Sequence, residues 1–264
     1  SQGMPRAEIK QKVGEIAEIL GITEILDRPV GGLSGGDRQR VALGRAIVRD
    51  PKAFFMDEPL GALDAEFREH MSEELRALHD RMNATTVYVT HDQLEAMQMG
   101  DKIVVMNHGV VEQFGVPQSI YDWPATKFVA EFIGSPPMNF LDIQGTAGKG
   151  ATNISFGNAT FEIPRLLEGQ SGDLTFGVRP EHIRLDDNAH FRGEISAVEY
   201  LGTTQIITLN TMAGIVKVRS SSSNKVLIGD KTGLSFDPRT VTIFHGRNGQ
   251  ALKSEANNGV LLNG

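Results

Sequence analysis

Three short segments carry groups that could act on a phosphate. The first, Leu33-Ser34-Gly35-Gly36-Asp37-Arg38-Gln39-Arg40, stands at the start of a predicted helix. A serine and two glycines there leave backbone N–H groups free to face an anion, and the glycines let the chain approach a phosphate closely. Because Ser-Gly-Gly is also common in ordinary loops, the segment indicates an anion site only when other motifs of the same kind of site are present.

The second segment is the acidic pair Asp57-Glu58, which follows the apolar run Phe54-Phe55-Met56. Acids that follow a buried parallel strand lie where α/β sheets bind their ligands. There Asp57 could hold Mg²⁺ through water while Glu58 polarises an attacking water. The third segment places His91 directly after another predicted strand, at the equivalent end. A solvated acidic turn and a structural histidine are the alternative interpretations.

The elements that must position these groups alternate between helix and strand up to about residue 135, as in an α/β domain. Pro5 opens a predicted helix in which Ile9, Val13, Ile16 and Leu20 recur at helical spacing. Further predicted elements are helices over 37–48 and 65–82, the latter with Phe67, Met71, Leu75 and Leu78 on one face, and buried strands over 53–56, 85–90 and 102–106. Asn107-His108-Gly109 predicts a hairpin turn into Val110–Phe114.

Short alternating runs separated by Gly, Asn and Asp follow Gly134-Ser135-Pro136-Pro137. Examples are Asn153–Phe156, Gln205–Leu209 and Gly214–Val218. This pattern is typical of a small β-barrel or sandwich. We therefore predict a first domain over 1–134, an all-β domain over 135–252 and a frayed polar tail over 253–264.

Composition argues against one class of function and excludes two kinds of site. A formal net charge of -7 argues against a nucleic-acid-binding protein, and zero cysteines exclude disulfides and thiolate metal sites. No apolar stretch approaches the roughly 20 residues needed to cross a bilayer. Any role at a membrane would therefore come through a partner.

Four stretches occur in one order and at one spacing that resembles the second half of an ABC ATPase domain: Leu33–Gly36, Phe54–Pro59, Leu63-Asp64 and Val89–Asp92. They correspond to the signature motif, the Walker B strand, the D-loop and the switch histidine of that family.

Four further stretches resemble the sequences of the carbohydrate-importer branch of the same family: Thr90–Met97, Asp101–Met106, Phe132–Phe140 and Gly177–Ile183. The resemblance covers the residues from about 5 to about 245. It implies the C-terminal half of an α/β P-loop-type ATPase domain, followed by an all-β OB-like regulatory domain.

In this family two ATPase subunits enclose ATP head to tail. The resemblance implies that Ser34, Gly35 and Gly36, with Asp37 beside them, contact the γ-phosphate of ATP held by the other subunit. It also implies that Asp64 couples the two sites at the interface.

Within one subunit, the resemblance implies that Asp57 serves Mg²⁺, Glu58 polarises the attacking water and His91 contacts the γ-phosphate. The implied cofactors are therefore ATP and Mg²⁺. The implied partners are a second copy of the subunit and transmembrane permease subunits, at the cytoplasmic face of the inner membrane, with no nucleic acid.

The sequence departs from the family pattern in two ways. Asp37 stands where the family usually has Gln, and we expect it to weaken activity at most, with its side chain facing solvent or capping the helix. A Walker A loop needs Gly-x-x-x-x-Gly-Lys followed by Ser or Thr. The nearest candidate, Gly145–Thr152, has Ala151 in place of that Lys and is predicted to be a turn in the β-domain. We therefore expect an N-terminally truncated piece that alone binds ATP poorly and hydrolyses essentially none.

The leading hypothesis is the ATP-hydrolysing, energy-coupling subunit of a binding-protein-dependent importer for sugars or glycerol-phosphate-like solutes. A polyamine or iron importer is the nearest alternative. An ABC ATPase of a repair or translation factor fits the β-domain badly. A non-enzymatic regulatory remnant is disfavoured by the presence of Asp57, Glu58 and His91.

Overall fold

The computed structural model of the chain describes residues 5–49, 52–61, 63–81, 84–157 and 159–260. The chain divides into two compact units between Asp101 and Lys102. No helix in these ranges combines the length and the apolar character that a membrane span requires.

The first unit is mixed α/β. Its elements are α1 (Arg6–Ile19), α2 (Gly35–Ile47), β1 (Ala53–Asp57), α3 (Ala65–Arg81), β2 (Thr85–Val89) and α4 (Gln93–Met99). The strands β1 and β2 pair in parallel, with Asp57 opposite Val89. Its core comprises Ala17, Leu20, Ile22, Leu43, Ile47, Phe54, Leu60, Leu63, Met71 and Leu75.

The helices of this unit follow the predicted pattern with local differences. Pro5 precedes α1 as predicted, and Leu20 is fully buried, but Val13 is 36% exposed. The helix α2 begins two residues before the predicted start because Ser34 caps it. In α3, Met71 and Leu75 are buried as predicted. The side chains of Phe67 and Leu78 lie outside the described residues.

The strands of this unit confirm the predicted parallel pairing but not the predicted burial. Phe54 is buried, whereas Phe55 is 82% exposed and Val89 is 52% exposed. In the part of the chain that the structure describes, this sheet has two strands, β1 and β2. Successive side chains of a strand point to opposite faces, so a pair covered on one face buries only alternate residues.

The second unit begins with a hairpin and two short helices. The strands β3 (Ile103–Asn107) and β4 (Val110–Gly115) pair antiparallel, and they are followed by α5 (Pro117–Asp122) and α6 (Lys127–Phe132). Between the strands, His108 and Gly109 have φ of 47° and 81°. Two positive φ values at the centre of a two-residue loop define the mirror-image turn that hairpins favour, and the predicted turn is confirmed.

The rest of the second unit is all-β, as predicted. Its strands are β5 (Asn139–Ala147), β6 (Asn153–Phe156), β7 (Ala159–Glu162), β8 (Gln170–Val178), β9 (Ile183–Leu185), β10 (Arg192–Tyr200), β11 (Thr204–Thr211), β12 (Gly214–Ser221), β13 (Lys231–Phe236) and β14 (Thr242–His245). One sheet has the order β12-β11-β10-β13-β9 and another the order β14-β8-β5, while β6 and β7 form a two-stranded sheet. Phe161, Phe176, Phe191 and Phe236 pack together, mostly edge to face, inside it.

The division of the structure lies earlier than the predicted domain boundary at 134/135. Residues 102–134 belong to the second unit. A bridge joins Thr126 to Gln250, and the Arg179 guanidinium donates to the carbonyls of Tyr121, Ala130 and Ile133. These hydrogen bonds connect the helices α5 and α6 to the β-rich part, and they join residues that are far apart in the sequence.

The predicted frayed tail also differs from the structure in its first residues. Ser254 and Asn257 are buried, at 4% and 1% exposure. The Asn257 amide donates to the carbonyl of Leu252 at 2.9 Å, and its side-chain oxygen accepts from the Ser254 N–H at 2.7 Å. Polar residues that satisfy each other in this way can be buried, which composition alone does not show. Residues 261–264 lie outside the described residues.

Candidate functional site

Glu58 and His91, predicted from separate segments, lie in direct contact. Glu58 directly follows β1, and His91 lies two residues after the end of β2. Because these strands are parallel and in register at their ends, both residues lie at one edge of the sheet. The Nδ1 atom of His91 lies 2.9 Å from Oε1 of Glu58, and the two side chains are 75% and 53% exposed.

The contact fixes the roles of the two side chains. A carboxylate in its ionised form only accepts hydrogen bonds, so with Glu58 ionised the contact takes its proton from Nδ1 of His91. The second ring nitrogen, Nε2, is then left to face a ligand. The pair therefore offers a carboxylate and an imidazole within reach of one small group, which suits proton abstraction from a water.

The backbone of Glu58 has an uncommon conformation. Its φ is 45°, in the left-handed region that non-glycine residues seldom adopt. Its N–H donates to the Val89 carbonyl at 2.8 Å, and its own carbonyl accepts from the Gly61 N–H at 3.2 Å. The same carbonyl accepts from the Gln39 side chain at 2.8 Å. Such a conformation persists where surrounding contacts fix it, and such residues are frequent at functional sites.

His91 lies on a segment that Glu95 and Asp92 hold in place. Asp92 caps α4, its carboxylate accepting from the N–H groups of Leu94 and Glu95. Glu95 is 5% exposed and accepts from Tyr88 Oη at 3.0 Å and from Thr90 Oγ1 at 2.8 Å. Burial, and then the charge of Glu95, raise the pKa of Tyr88 above its ordinary value, so the phenol stays a donor. The residues around His91 are therefore fixed by a partly buried polar network.

Arg68 joins the predicted D-loop to this network. From α3 its guanidinium donates to the Leu63 carbonyl at 3.0 Å. It also lies 3.6 Å from the Asp92 carboxylate and 3.8 Å from that of Glu95. The predicted interface residue Asp64 is exposed just before α3, where its carbonyl accepts from the Arg68 N–H at 2.9 Å. The segments that carry Asp64 and His91 are thus connected through one arginine, which the sequence patterns did not indicate.

Ser34 begins the helix α2. Its hydroxyl accepts from the Asp37 N–H at 3.1 Å, which is the usual contact of an N-cap residue. The hydroxyl also hydrogen-bonds the Asp37 carboxylate, to which it can only donate. A Cβ built on Gly35 meets no atom within 4 Å, so the packing of the chain itself does not require glycine at this position. The open space at Gly35 fits a segment that an anion approaches closely.

Asp37 is placed differently from either expectation. Ser34 is the cap, while Asp37 lies in the first turn of α2, and its carboxylate forms an ion pair with Arg40. The hydrogen bond with Ser34, and then the one with Arg40, lower the pKa of Asp37 below its ordinary value. The negative charge is therefore neutralised along the helix rather than directed freely at solvent.

This pairing predicts a small effect for Asp37→Gln. Because Arg40 already neutralises the carboxylate, we expect the substitution to change the kcat for ATP hydrolysis by the full-length protein by less than about threefold, the scale of one exposed ion pair. Arg40→Gln, which releases the carboxylate, should lower kcat more than Asp37→Gln does. A steady-state phosphate-release assay checks both, and a large gain from Asp37→Gln would contradict the prediction.

Asp57 is the carboxylate considered for a magnesium ion. Asp57 is exposed at the last position of β1. Within the described ranges, no group of three or more His, Asp or Glu side chains could hold a metal by itself. Mg²⁺ is usually bound by one or two carboxylates together with substrate phosphates, so one carboxylate at the end of a strand is compatible with it.

The glycine-rich stretch in the β-domain is not a phosphate-binding loop. Gly145 and Ala147 lie within β5, and the chain then turns at Lys149 and Gly150. A Walker A loop instead leads from a strand into a helix. The predicted turn is confirmed for its second half.

Family models match three parts of the chain. The ABC transporter model matches residues 2–61, the MalK OB fold domain model matches residues 134–183, and the TOBE domain model matches residues 176–244.

Curated relatives match almost the whole chain. The trehalose/maltose import ATP-binding protein of Thermococcus litoralis is 45% identical over 262 residues, covering 94% of this chain and 70% of that protein. The sn-glycerol-3-phosphate import ATP-binding protein of Ruegeria sp. is 44% identical over 251 residues, covering 90% and 69%. The xylose/arabinose import ATP-binding protein of Haloferax volcanii is 42% identical over 265 residues, covering 96% and 68%.

These relatives match the part of the chain that holds Ser34, Glu58 and His91 as well as the β-rich part. The chain therefore belongs to the family of ATPase subunits of ABC importers, in the branch whose ATPase domain is followed by a MalK-type OB fold and a TOBE domain.

Proposed function

We propose that the protein is the energy-coupling ATPase subunit of a binding-protein-dependent ABC importer for sugars or glycerol-phosphate-like solutes. The observation that carries the proposal is the contact between Glu58 and His91 at the end of two parallel strands. That contact brings a candidate base and a candidate γ-phosphate ligand together. It supports an active ATPase rather than a regulatory remnant, since a remnant would have no need of the pair.

Each residue of the pair has a definite proposed role. Glu58 accepts a hydrogen bond from the attacking water and orients it. His91, held by Glu58 through Nδ1, presents Nε2 to the γ-phosphate, and Asp57 serves Mg²⁺. Bound Mg²⁺–ATP would supply the transferred phosphoryl group and neutralise the charge that develops on it.

A second copy of the subunit would complete the site. The exposed N-terminus of α2, with the Ser34 hydroxyl and the backbone of Gly35 and Gly36, is suited to bind a phosphate held by that copy. Asp37 lies beside it, and Asp64 is exposed where it could meet the partner. The 264 residues contain no Gly-x-x-x-x-Gly-Lys followed by Ser or Thr, which is the loop that would hold ATP within the same subunit.

The solute class is proposed from the names of the relatives, which are import proteins for trehalose and maltose, for glycerol 3-phosphate, and for xylose and arabinose. A permease embedded in the membrane would bind the subunit at the cytoplasmic face, and a binding protein would select the solute. The β-rich domain, proposed to begin at residue 135, would serve regulation and contacts between the two copies.

The full-length gene product, assembled with its permease in vesicles, tests this proposal. We expect a sugar-loaded or glycerol-phosphate-loaded binding protein to stimulate ATP hydrolysis, and we expect the 264-residue chain alone to hydrolyse no ATP above background. Stimulation by a polyamine-loaded or iron-loaded binding protein instead would replace the proposed solute class. If no solute stimulates hydrolysis and the assembled complex has no ATPase activity, the chain is a regulatory remnant and the proposal is wrong.

A further inference from the structure

Gln39 joins the helix α2 to the residue proposed as the catalytic base. Its side-chain amide donates to the main-chain carbonyl of Glu58 at 2.8 Å, across 19 positions of sequence. Gln39 lies in the second turn of α2, five residues after the N-cap Ser34. The bond therefore connects the helix that carries the signature residues to the turn that carries Glu58.

The acceptor of this bond is an unusual one. Glu58 has a φ of 45°, which is sparsely populated for a residue with a side chain. The direction of its side chain toward His91 depends on that backbone conformation, because a change of φ rotates the Cα–Cβ bond. Contacts that fix the carbonyl of Glu58 therefore also fix the direction in which its side chain leaves the backbone toward His91.

Among the described residues, three hydrogen bonds hold the N–H and the carbonyl of Glu58. The N–H of Glu58 is held by the Val89 carbonyl, and its carbonyl is held by the Gly61 N–H. Both of those bonds are made by main-chain atoms and form with any side chain at position 39. The bond from Gln39 is made by a side chain, so a substitution at position 39 removes it and leaves the other two in place.

We propose that Gln39 is a positioning residue for ATP hydrolysis, which holds the left-handed backbone of Glu58 and so aims its carboxylate at the attacking water. This inference rests on the proposed function through the role of Glu58. In the proposed dimer, the N-terminus of α2 contacts the ATP held by the second copy, while Glu58 acts on the ATP held by its own subunit. Gln39 then connects these two parts of one subunit.

Two substitutions remove the bond in different ways. Gln39→Leu keeps a similar volume without a donor, and Gln39→Glu keeps the shape but replaces the amide by a carboxylate that repels the carbonyl. Gln11→Leu is the matched control, because Gln11 is exposed on α1 and donates to Glu15 on its own helix.

We expect both Gln39 variants of the full-length protein to lower kcat for ATP hydrolysis by about three- to tenfold, the scale of one hydrogen bond, with the KM for ATP within about twofold of the unsubstituted value. In the nucleotide-free protein, deuterium exchange of the peptide that contains Glu58 and Gly61 should become faster by a similar factor. Gln11→Leu should change neither quantity. A merely structural role would lower the unfolding midpoint without separating kcat from KM.

The outcomes separate this inference from the proposed function. Unchanged exchange in both Gln39 variants overturns the inference whatever the ATPase assay shows. Faster exchange with unchanged kcat also overturns it, provided that Glu58→Gln is inactive in the same assay. If Glu58→Gln keeps full activity, the proposed role of Glu58 fails and the positioning role fails with it, while the exchange data still decide whether the hydrogen bond holds the turn.

Discussion

Glu58→Gln in the full-length protein is expected to lower the kcat for ATP hydrolysis by at least about a hundredfold, which is the lower end of the contribution of a positioned general base. The glutamine keeps the size of the side chain and can still contact His91, but it cannot take a proton. Because Glu58 is half exposed and its backbone is held by main-chain bonds to Val89 and Gly61, the fold should be unaffected. Binding of ATP should therefore be retained while hydrolysis is lost.

The measurement is steady-state phosphate release alongside equilibrium binding of a fluorescent ATP analogue. Glu73→Gln is the matched control. Glu73 is exposed on α3, away from the strand ends, and its substitution is the same chemical change. Equal loss of activity in both variants would indicate a general effect on the protein. Retention of more than about a tenth of the activity by Glu58→Gln would mean that another group orients the water.

The parts of this fold that could be predicted from sequence are those with local physical causes. Pro5 stands at the N-cap of α1, because a proline, which has no N–H, is tolerated at the start of a helix but not in its interior. His108-Gly109 forms a hairpin turn because both residues tolerate positive φ. The end of β1 at Asp57 follows from an apolar run that stops at two acids. The same reasoning located Glu58 and His91, since each directly follows a predicted strand and parallel strands bring such ends together.

What could not be predicted depends on hydrogen bonds between distant positions. Gln39 stands between two arginines on α2, and nothing in that spacing distinguishes it, yet its amide reaches Glu58. The change of sequence pattern after Gly134 predicts a domain boundary at 134/135, and it carries no sign of the hydrogen bonds that connect α5 and α6 to the β-rich part. Arg179, which binds the carbonyls of Tyr121 and Ile133, lies 58 and 46 positions from them. Composition and periodicity carry no information about contacts of that separation.

Arg179→Met is expected to destabilise the second unit by about 2–4 kcal/mol of the free energy of unfolding, through the loss of buried charge-assisted hydrogen bonds. Arg179 is 1% exposed, and its guanidinium donates to the carbonyls of Tyr121, Ala130 and Ile133. Its Cζ also lies 4.2 Å from the centroid of the Tyr121 ring. Burial lowers the pKa of Arg179 below its ordinary value, so the charge costs free energy that the variant recovers. The loss of this donor from three carbonyl groups costs more free energy than the variant recovers.

Arg179→Lys should lower the free energy of unfolding by less, about 1–3 kcal/mol. An ammonium keeps the charge, but it cannot donate to all three carbonyls as the planar guanidinium does. Arg184→Met is the matched control on an exposed arginine of β9 and should lie within about 0.5 kcal/mol of the unsubstituted protein. Trp123 is the one tryptophan of the sequence and lies two residues from Tyr121, so its fluorescence in a urea titration reports on this part of the second unit.

The order of the variants decides the interpretation. If Arg179 holds α5 and α6 to the β-rich part, the Trp123 transition moves to lower urea in the order Arg184→Met, Arg179→Lys, Arg179→Met. The hydroxyl of Tyr121 also donates to Glu181 at 2.6 Å, and that bond needs no contribution from Arg179. A Trp123 midpoint that is the same in Arg179→Met and Arg184→Met would therefore mean that the contact between Tyr121 and Glu181 and the main-chain bonds from 125–127 to 249–251 suffice, and that the buried arginine adds no net stability.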